Sequence, residues 1–399
     1  MLGDGRAILL GEHLAPGRVR FDIQLKGSGR TPFSRRGDGK AALGPMLREY
    51  LISEAMHALG IPTTRSLAVV ATGEVIYRDT ALPGAVLTRV ATSHLRVGTF
   101  EYAAALDLPG ALTALINYTI NRHYPEAREA DRPALALFES VLARQADLIA
   151  QWLAVGFVHG VMNTDNMALS GETIDYGPCA FLDRYHPEMV FSSIDQGGRY
   201  AYANQPSIAQ WNLARFAETL LPQIDPNPQR ALDIARETLE TFTPRFQQAW
   251  LGRMRAKLGL VQKEEDDLAL IQGFLRWMAE TGADFSATFR MLPTYLDPAA
   301  APQTNRSLAN WLEVWRARLQ REGASPEVLR ERMNRANPRF TPRNARVEEA
   351  LIAAVEGNLG PFQRLLRVLA RPFDDQPENS DLAEPPADGG IGYRTFCGT

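Results

Sequence analysis

The sequence predicts an α+β protein in two parts, a small β-rich N-terminal lobe and a larger α-helical C-terminal lobe. The first observation behind this is order: β-rich runs cluster before about residue 98, and after it nearly every apolar pattern has the helical period. The second is size. At 399 residues, with 45% hydrophobic and 22% charged content, the chain has the composition of a soluble globular protein and enough length for two lobes. The expected division is residues 1–98, residues 99–370, and a polar, acidic, proline-containing flexible tail over residues 371–399.

In order, the chain opens with Met1-Leu2-Gly3-Asp4-Gly5-Arg6 and an apolar run over residues 7–10. Two glycines before a strand read either as a hairpin turn or as backbone N–H groups offered to a phosphate, with Arg6 as a charge clamp. Residues 20–26 alternate as a strand, with Phe21, Ile23 and Leu25 on one face and Asp22, Gln24 and Lys26 on the other. A basic Gly/Ser/Arg loop over residues 27–39 holds Arg30, Arg35, Arg36, Asp38 and Gly39. Residues 44–60 turn helical, with Pro45 in the first turn and Glu49 near the start. Lys26 and Glu49 read either as ordinary surface charges or as the strand–helix ion pair that holds nucleotide phosphates. Residues 67–70 and 75–77 flank Thr72-Gly73-Glu74 as a hairpin, and a third strand over residues 84–90 carries Arg89, with Arg96 following. Helices are expected over residues 100–124, 133–156, 206–220, 228–258, 264–282, 307–322 and 346–369.

The chemistry concentrates in His159-Gly160-Val161-Met162-Asn163-Thr164-Asp165-Asn166, followed by Asp175-Tyr176-Gly177. The eight residues between read as two short strands around Ser170-Gly171. A polar loop, a hairpin and an Asp-x-Gly is how protein kinases present metal ligands. The agreement is partial. Asn166 stands seven residues after His159, as in kinases, but the position of the kinase catalytic Asp, two after the His, is Val161. Val cannot accept a proton, and the nearby carboxylate is Asp165, so the usual base has moved or gone. The fold expected is therefore protein-kinase-like and bilobal, with Asn166 and Asp175 as hard oxygen ligands for Mg²⁺.

Composition narrows the class further. A net charge of −3, from 43 basic and 46 acidic residues, argues against bulk nucleic-acid or anionic-membrane binding. No apolar run approaches the ~20 residues of a bilayer span, and the N-terminus lacks a signal-peptide pattern. Two cysteines, Cys179 and Cys397, make no disulfide scaffold and fit a reducing, cytoplasmic compartment with one redox pair at most. A Cys third from the end reads either as reactive or as incidental.

Taken together, Leu-Gly-Asp-Gly-Arg, Leu-Lys-Gly-Ser-Gly-Arg-Thr-Pro-Phe-Ser-Arg, His-Gly-Val-Met-Asn-Thr-Asp-Asn-Met, Asp-Tyr-Gly-Pro and the near-terminal Cys, in this order, resemble the selenoprotein O family. The resemblance runs along essentially the whole chain. It implies a kinase-like fold that moves AMP from ATP to protein Ser, Thr or Tyr hydroxyls with Mg²⁺ or Mn²⁺, the nucleotide lying inverted relative to kinases. It also implies the site. Lys26, held by Glu49, would neutralise the inverted phosphates with Arg89 and Arg96. Gly3, Gly5, Arg6, Asp38 and Gly39 would contact the nucleotide. Asp165 would be the base, Asn166 and Asp175 the metal ligands, and Asp175 a nucleotide contact too. Family members carry a substantial segment before the glycine turn, so the expectation here is an N-terminally shortened lobe. Cys397 matches the family's redox position, while the partner position beyond Asp-Tyr-Gly has no Cys, which leaves Cys179. The alternatives are a kinase-type phosphotransferase and a non-catalytic ATP-binding scaffold.

Overall fold

The computed structural model describes residues 5–34, 36–106, 108–300, 305–387 and 389–396. Gly3 and Cys397 lie outside the described residues, so the readings placed on them stay expectations.

The N-terminal part is one antiparallel sheet with a helix on it. Strand β1 (Ala7–Leu14) pairs with β2 (Arg20–Lys26), and β2 pairs with β5 (Ala81–Ala91). The short β3 (Ala41–Ala42) adds to the same edge of β5, and β4 (Arg65–Tyr77) pairs along its other edge. Helix α1 (Leu43–Ala58) packs against β4 and β5. The polar residues of β2 face inward: Asp22, Gln24 and Lys26 are buried, while Phe21, Ile23 and Leu25 are only partly so. A strand whose charged face is the covered one is arranged around a polar cleft rather than a core.

The expected hairpin over residues 67–77 is instead one strand. The register jumps between Ala71 and Val75, and Gly73 at φ +74° lets three residues bulge out. The bulge lies over Gly84, where a Cβ would stand 2.7 Å from Thr72 Oγ1. The chain reverses afterwards, where Arg78 N–H donates to Thr80 O at 3.0 Å.

The rest is mainly helical: α2 (Val97–Ala105), α3 (Ala111–His123), α4 (Pro133–Val155), α5 (Gln205–Ile224), α6 (Pro228–Glu240) and α7 (Phe242–Lys257). It continues with α8 (Asp267–Thr281), α9 (Phe285–Met291), α10 (Arg306–Gln320), α11 (Pro326–Ala336), α12 (Asn344–Val355) and α13 (Gly360–Leu369). The expected helices over residues 100–124, 228–258 and 346–369 are each two. Gly110 at φ +78° and Gly357 at φ +95° break the first and third. A one-residue joint at Thr241, whose hydroxyl donates to Thr238 O at 2.7 Å, breaks the second. Helices α9 and α11 were not anticipated.

The largest apolar core runs continuously from Leu51 and Met56 of α1 through Phe138 and Trp152 of α4 and Phe216 of α5 to Leu365 of α13. A second gathers α7 to α11 around Phe274, Phe285 and Trp315. Helix α1 thus belongs to the sheet on one side and to the helices on the other. It carries Glu49, so the packing of the helical part fixes that carboxylate.

The segment read as a flexible tail docks on the helical part at several points. Gln376 Nε2 donates to Val368 O at 3.1 Å, and Leu382 and Ala383 join the main core. Thr395 forms a parallel bridge with Ser192, and its hydroxyl donates to Pro178 O at 2.6 Å. Composition registered the prolines and acids here but not the few apolar residues that dock.

Candidate active site

Four side chains converge where the sheet meets the helices. Lys26 Nζ, at the end of β2, is 2.5 Å from Glu49 Oε2 and also contacts Asp175 Oδ1. Arg89 of β5 sits beside Lys26's strand neighbour: Arg89 Nε donates to Glu49 Oε1 at 2.8 Å and Nη1 to Gln24 Oε1 at 3.1 Å. Its Nη2 lies 3.6 Å from Asp175 Oδ1. Lys26, Glu49 and Arg89 are almost wholly buried, and a buried charge must be paired. Two cations answer two carboxylates. Burial pushes the Glu49 carboxyl up, but Arg89 and Lys26 outweigh it and hold it below its ordinary range. Desolvation likewise opposes ionisation of Asp175, and Lys26 and Arg89, with Arg6 adding to them, hold it far below the carboxylate range. The ion pair that sequence left as one of two readings is therefore present, and Asp175 is part of it.

The loop that carries Asp165, Asn166 and Asp175 is tied on every side. Helix α4 ends at Gly156 (φ +75°), and β6 (Phe157–Val158) pairs with β7 (Ala180–Phe181), closing the loop's base. His159 is buried. Its Nε2 meets Ile174 O at 2.9 Å, and Val161 N–H points at its Nδ1 at 3.4 Å. A carbonyl only accepts, so Nε2 carries the hydrogen, and burial keeps the ring neutral. The imidazole thus pins the residue before Asp175 to the first turn of the loop. Gln205 of α5 accepts from His159 N–H at 3.0 Å, Asn212 donates to Met162 O at 3.0 Å and Gln145 of α4 to Ala168 O at 2.8 Å. The expected hairpin over residues 167–174 does not form. Its backbone bonds outward instead, through isolated bridges Arg96–Ala168 and Thr63–Thr173. Buried backbone groups must find partners, and here the neighbouring segments supply them.

Within the loop, Asn163 caps a single 3₁₀ turn (Thr164–Asn166), its Oδ1 accepting from Asp165 N–H at 3.0 Å. Asn166 Nδ2 donates to Val161 O at 2.9 Å, so its amide oxygen is the end left for other work. Asp175 has φ +69°, a left-handed conformation rare outside glycine that persists only where the surroundings enforce it. Asp165 packs on the start of α2: a Cβ on Gly98 would stand 2.3 Å from Asp165 Oδ1. Arg96, the residue before α2, donates from Nη1 to Asp165 O at 3.2 Å.

Two cavities open at β2: Gln24 lines one and Lys26 the other. One, about 430 Å³, is lined by β1, β2, residues 31–33, residues 94–99 and α3, and includes Gln24, His94, Arg96 and Arg122. The other, about 590 Å³, includes Arg6, Lys26, Glu49, Gly177, Thr395 and Phe396. Both are of the size that takes a small-molecule ligand. Asp38 is held elsewhere, by Arg78 at 2.9 and 3.0 Å, and caps Lys40 N–H. Gly39 is needed for close approach, because a Cβ there would lie 2.0 Å from Gly29 O. Gly5 rests against Phe33 and Ser34. Cys179 is fully buried, and burial pushes its thiol up to about 12. Among the described residues no group of three or more His, Cys, Asp and Glu gathers as a metal cage. The donors on offer are hard oxygens of Asp175 and Asn166, which suit a Mg²⁺-type ion that keeps water and takes substrate phosphate oxygens.

Sequence reasoning gave no role to Gln24, His94, Gly98, Gln205 or Asn212, and used His159 only as the first residue of the kinase-like loop. For Gln24 a signal existed, since it shares the face of Lys26 on a period-two strand. The others depend on contacts between distant segments.

Comparison with known proteins supplies the class. The chain is 59% identical over its whole length to a protein nucleotidyltransferase YdiU of Rhizobium etli, covering 81% of that protein. It is 57% identical to one of Syntrophotalea carbinolica, covering 81%, and 58% identical to one of Geobacillus kaustophilus, covering 83%, again over all of this chain. The family model described as protein adenylyltransferase SelO matches residues 1–370. The chain belongs to the SelO family and is an enzyme of the nucleotidyltransferase class.

Proposed function

We propose that the chain transfers AMP from ATP to Ser, Thr or Tyr hydroxyls of proteins. The observation that carries the reading is the buried Lys26–Glu49–Arg89–Asp175 cluster, whose Lys26 and Glu49 line the cavity of about 590 Å³. It joins a strand Lys, a helix Glu and the Asp of Asp-x-Gly, with an additional arginine on the phosphate side. A γ-phosphoryl transferase has no evident use for the extra arginines. An enzyme whose nucleotide lies inverted, with its phosphates toward Arg89 and Arg96, does.

In this reading Lys26, Arg89 and Arg96 bind and neutralise the phosphates, and Glu49 holds Lys26. Arg6, with Gly3 and Gly5, and the loop of Asp38 and Gly39 embrace the nucleotide. Asp165 takes the proton of the acceptor hydroxyl as its oxygen bonds to the α-phosphorus and pyrophosphate departs. Asn166 and Asp175 hold Mg²⁺ or Mn²⁺, which would offset phosphate charge. Residues 1–98 form the nucleotide lobe, and residues 99–370 the helical lobe with the catalytic loop. Cys179 and Cys397 form the redox pair, if the chain has one. No described helix is long and apolar enough to cross a membrane, and we place the enzyme in the cytoplasm, acting on proteins rather than nucleic acid. Intact-mass measurement after incubation with ATP and metal tests the proposal: an AMP adduct on the chain or on an added protein supports it, and a phosphate adduct contradicts it.

A further inference from the structure

One side chain lining the 430 Å³ cleft carries a buried polar atom that nothing in the site described so far explains. His94 lines it and is 9% exposed. Asp22 Oδ2 accepts from the His94 backbone N–H at 2.9 Å and faces its Nδ1 at 3.3 Å. Asp22 is itself fixed, its Oδ1 accepting from Arg122 Nη2 at 2.6 Å. The far ring nitrogen, Nε2, is buried and has no hydrogen-bond partner. Buried polar atoms without partners are uncommon and call for an explanation. Here the ring is oriented by a carboxylate at one nitrogen, as functional imidazoles are, and the other nitrogen is idle.

We infer that His94 binds the terminal phosphate end of the nucleotide through Nε2, an assignment that rests on the inverted orientation proposed above. The groups around the ring support an anion. Arg96 Nε donates to His94 O at 3.2 Å and lines the same cleft, and Arg122 stands behind Asp22. Of the carboxylates that line the cleft, Asp22 contacts the ring and is occupied by Arg122 and by His94 itself, and Glu12 accepts from Arg122 Nη1 at 2.6 Å. A carboxylate only accepts, so Nδ1 carries the hydrogen and Nε2 presents a lone pair. A terminal phosphate that retains one proton can donate it to that lone pair. It can also pass the proton over and be held by the imidazolium N–H, with Asp22 balancing the new charge. In either case one hydrogen lies between Nε2 and a phosphate oxygen, and the proton count is unchanged. His94 is thus a binding residue for ATP and for the pyrophosphate that leaves, and it does not touch the adenosine half.

The test is calorimetric titration of the wild-type chain and three variants with magnesium pyrophosphate and, separately, with AMP. His94→Ala should weaken pyrophosphate about tenfold or more, the loss typical of a hydrogen bond to a charged group, and leave AMP unchanged. His94→Asn keeps a donor toward Asp22 but not the Nε2 position, so it should hold the thermal midpoint yet lose pyrophosphate like Ala. His94→Gln puts an amide near the Nε2 position and should retain affinity within a few fold. Wild-type pyrophosphate affinity in all three variants overturns the assignment, as does loss of AMP binding with pyrophosphate retained. If wild-type chain moves phosphate rather than AMP, the functional reading fails whatever the variants do. AMP transfer with normal variants removes only the role of His94.

Discussion

At the scale of single residues the account turns on how a few oxygens are aimed. Asp175 is gripped by Lys26 and Arg89 in a backbone conformation that costs free energy. As the proposed metal ligands, Asp175 would bring a formal charge and Asn166 only a dipole. Asp175→Ala is expected to abolish transfer, and Asn166→Ala to leave activity that high metal recovers. A metal titration of both variants checks this, and equal, metal-independent losses would contradict it. Gly98 is predicted to matter through Asp165, because a methyl group there would lie 2.3 Å from Asp165 Oδ1. Gly98→Ala should cut turnover tenfold or more while ATP binding, read by calorimetry, holds within a few fold. Arg89 grips Glu49 and Gln24 through three nitrogens. Lys cannot reproduce that fork, so Arg89→Lys should lower turnover, and wild-type rates in it would mean that the fork is dispensable. The sequence displayed Lys26, Glu49 and Asp175 by type and order. Their convergence, and the claim of Arg89 on Glu49, depend on strand pairing between β2 and β5, which no local pattern states.

At the scale of elements, helix α7 ends in a buried amine that pairs with no acid among the described residues. Lys257 is 2% exposed and lies over the rings of Phe289 and Phe285, at 4.2 and 5.3 Å. Burial pushes its amine down to about 7. The unfolded chain therefore binds a proton that the folded chain lacks between about pH 7 and the ordinary lysine value. Stability should rise with pH across that window, and the cost of the buried group is complete below it. Lys257→Met should raise stability at pH 7 by on the order of 1–3 kcal/mol, part of the gain being offset by lost cation–π contact. It should also flatten the dependence above pH 7, and denaturant midpoints from pH 6 to 10 check both. Elements also mark where sequence reading stops. The starts of α4, α5 and α6 were legible from their prolines. The bulge in β4 was not, because Thr72-Gly73-Glu74 has turn chemistry and only the neighbour Gly84 decides whether the chain reverses. Helix α9 was missed because seven residues are too few to show a period.

At the scale of the molecule, the sheet and the helices meet in one place, and α1 belongs to both. The order of strands and helices made the α+β class legible. It could not show that the polar face of β2 is the covered one, since alternation identifies two faces without saying which is inside. The family resemblance implies an inverted nucleotide, and Arg89, bonded to Gln24 of that inward face, and Arg96, which lines the same cleft as Gln24, fit it. The measurement that tests this most directly is transfer from ATP labelled separately at the α and γ phosphates, with the protein label counted after denaturing wash. The account predicts label from the α position alone, lost in Asp175→Ala. Label from the γ position alone would contradict it.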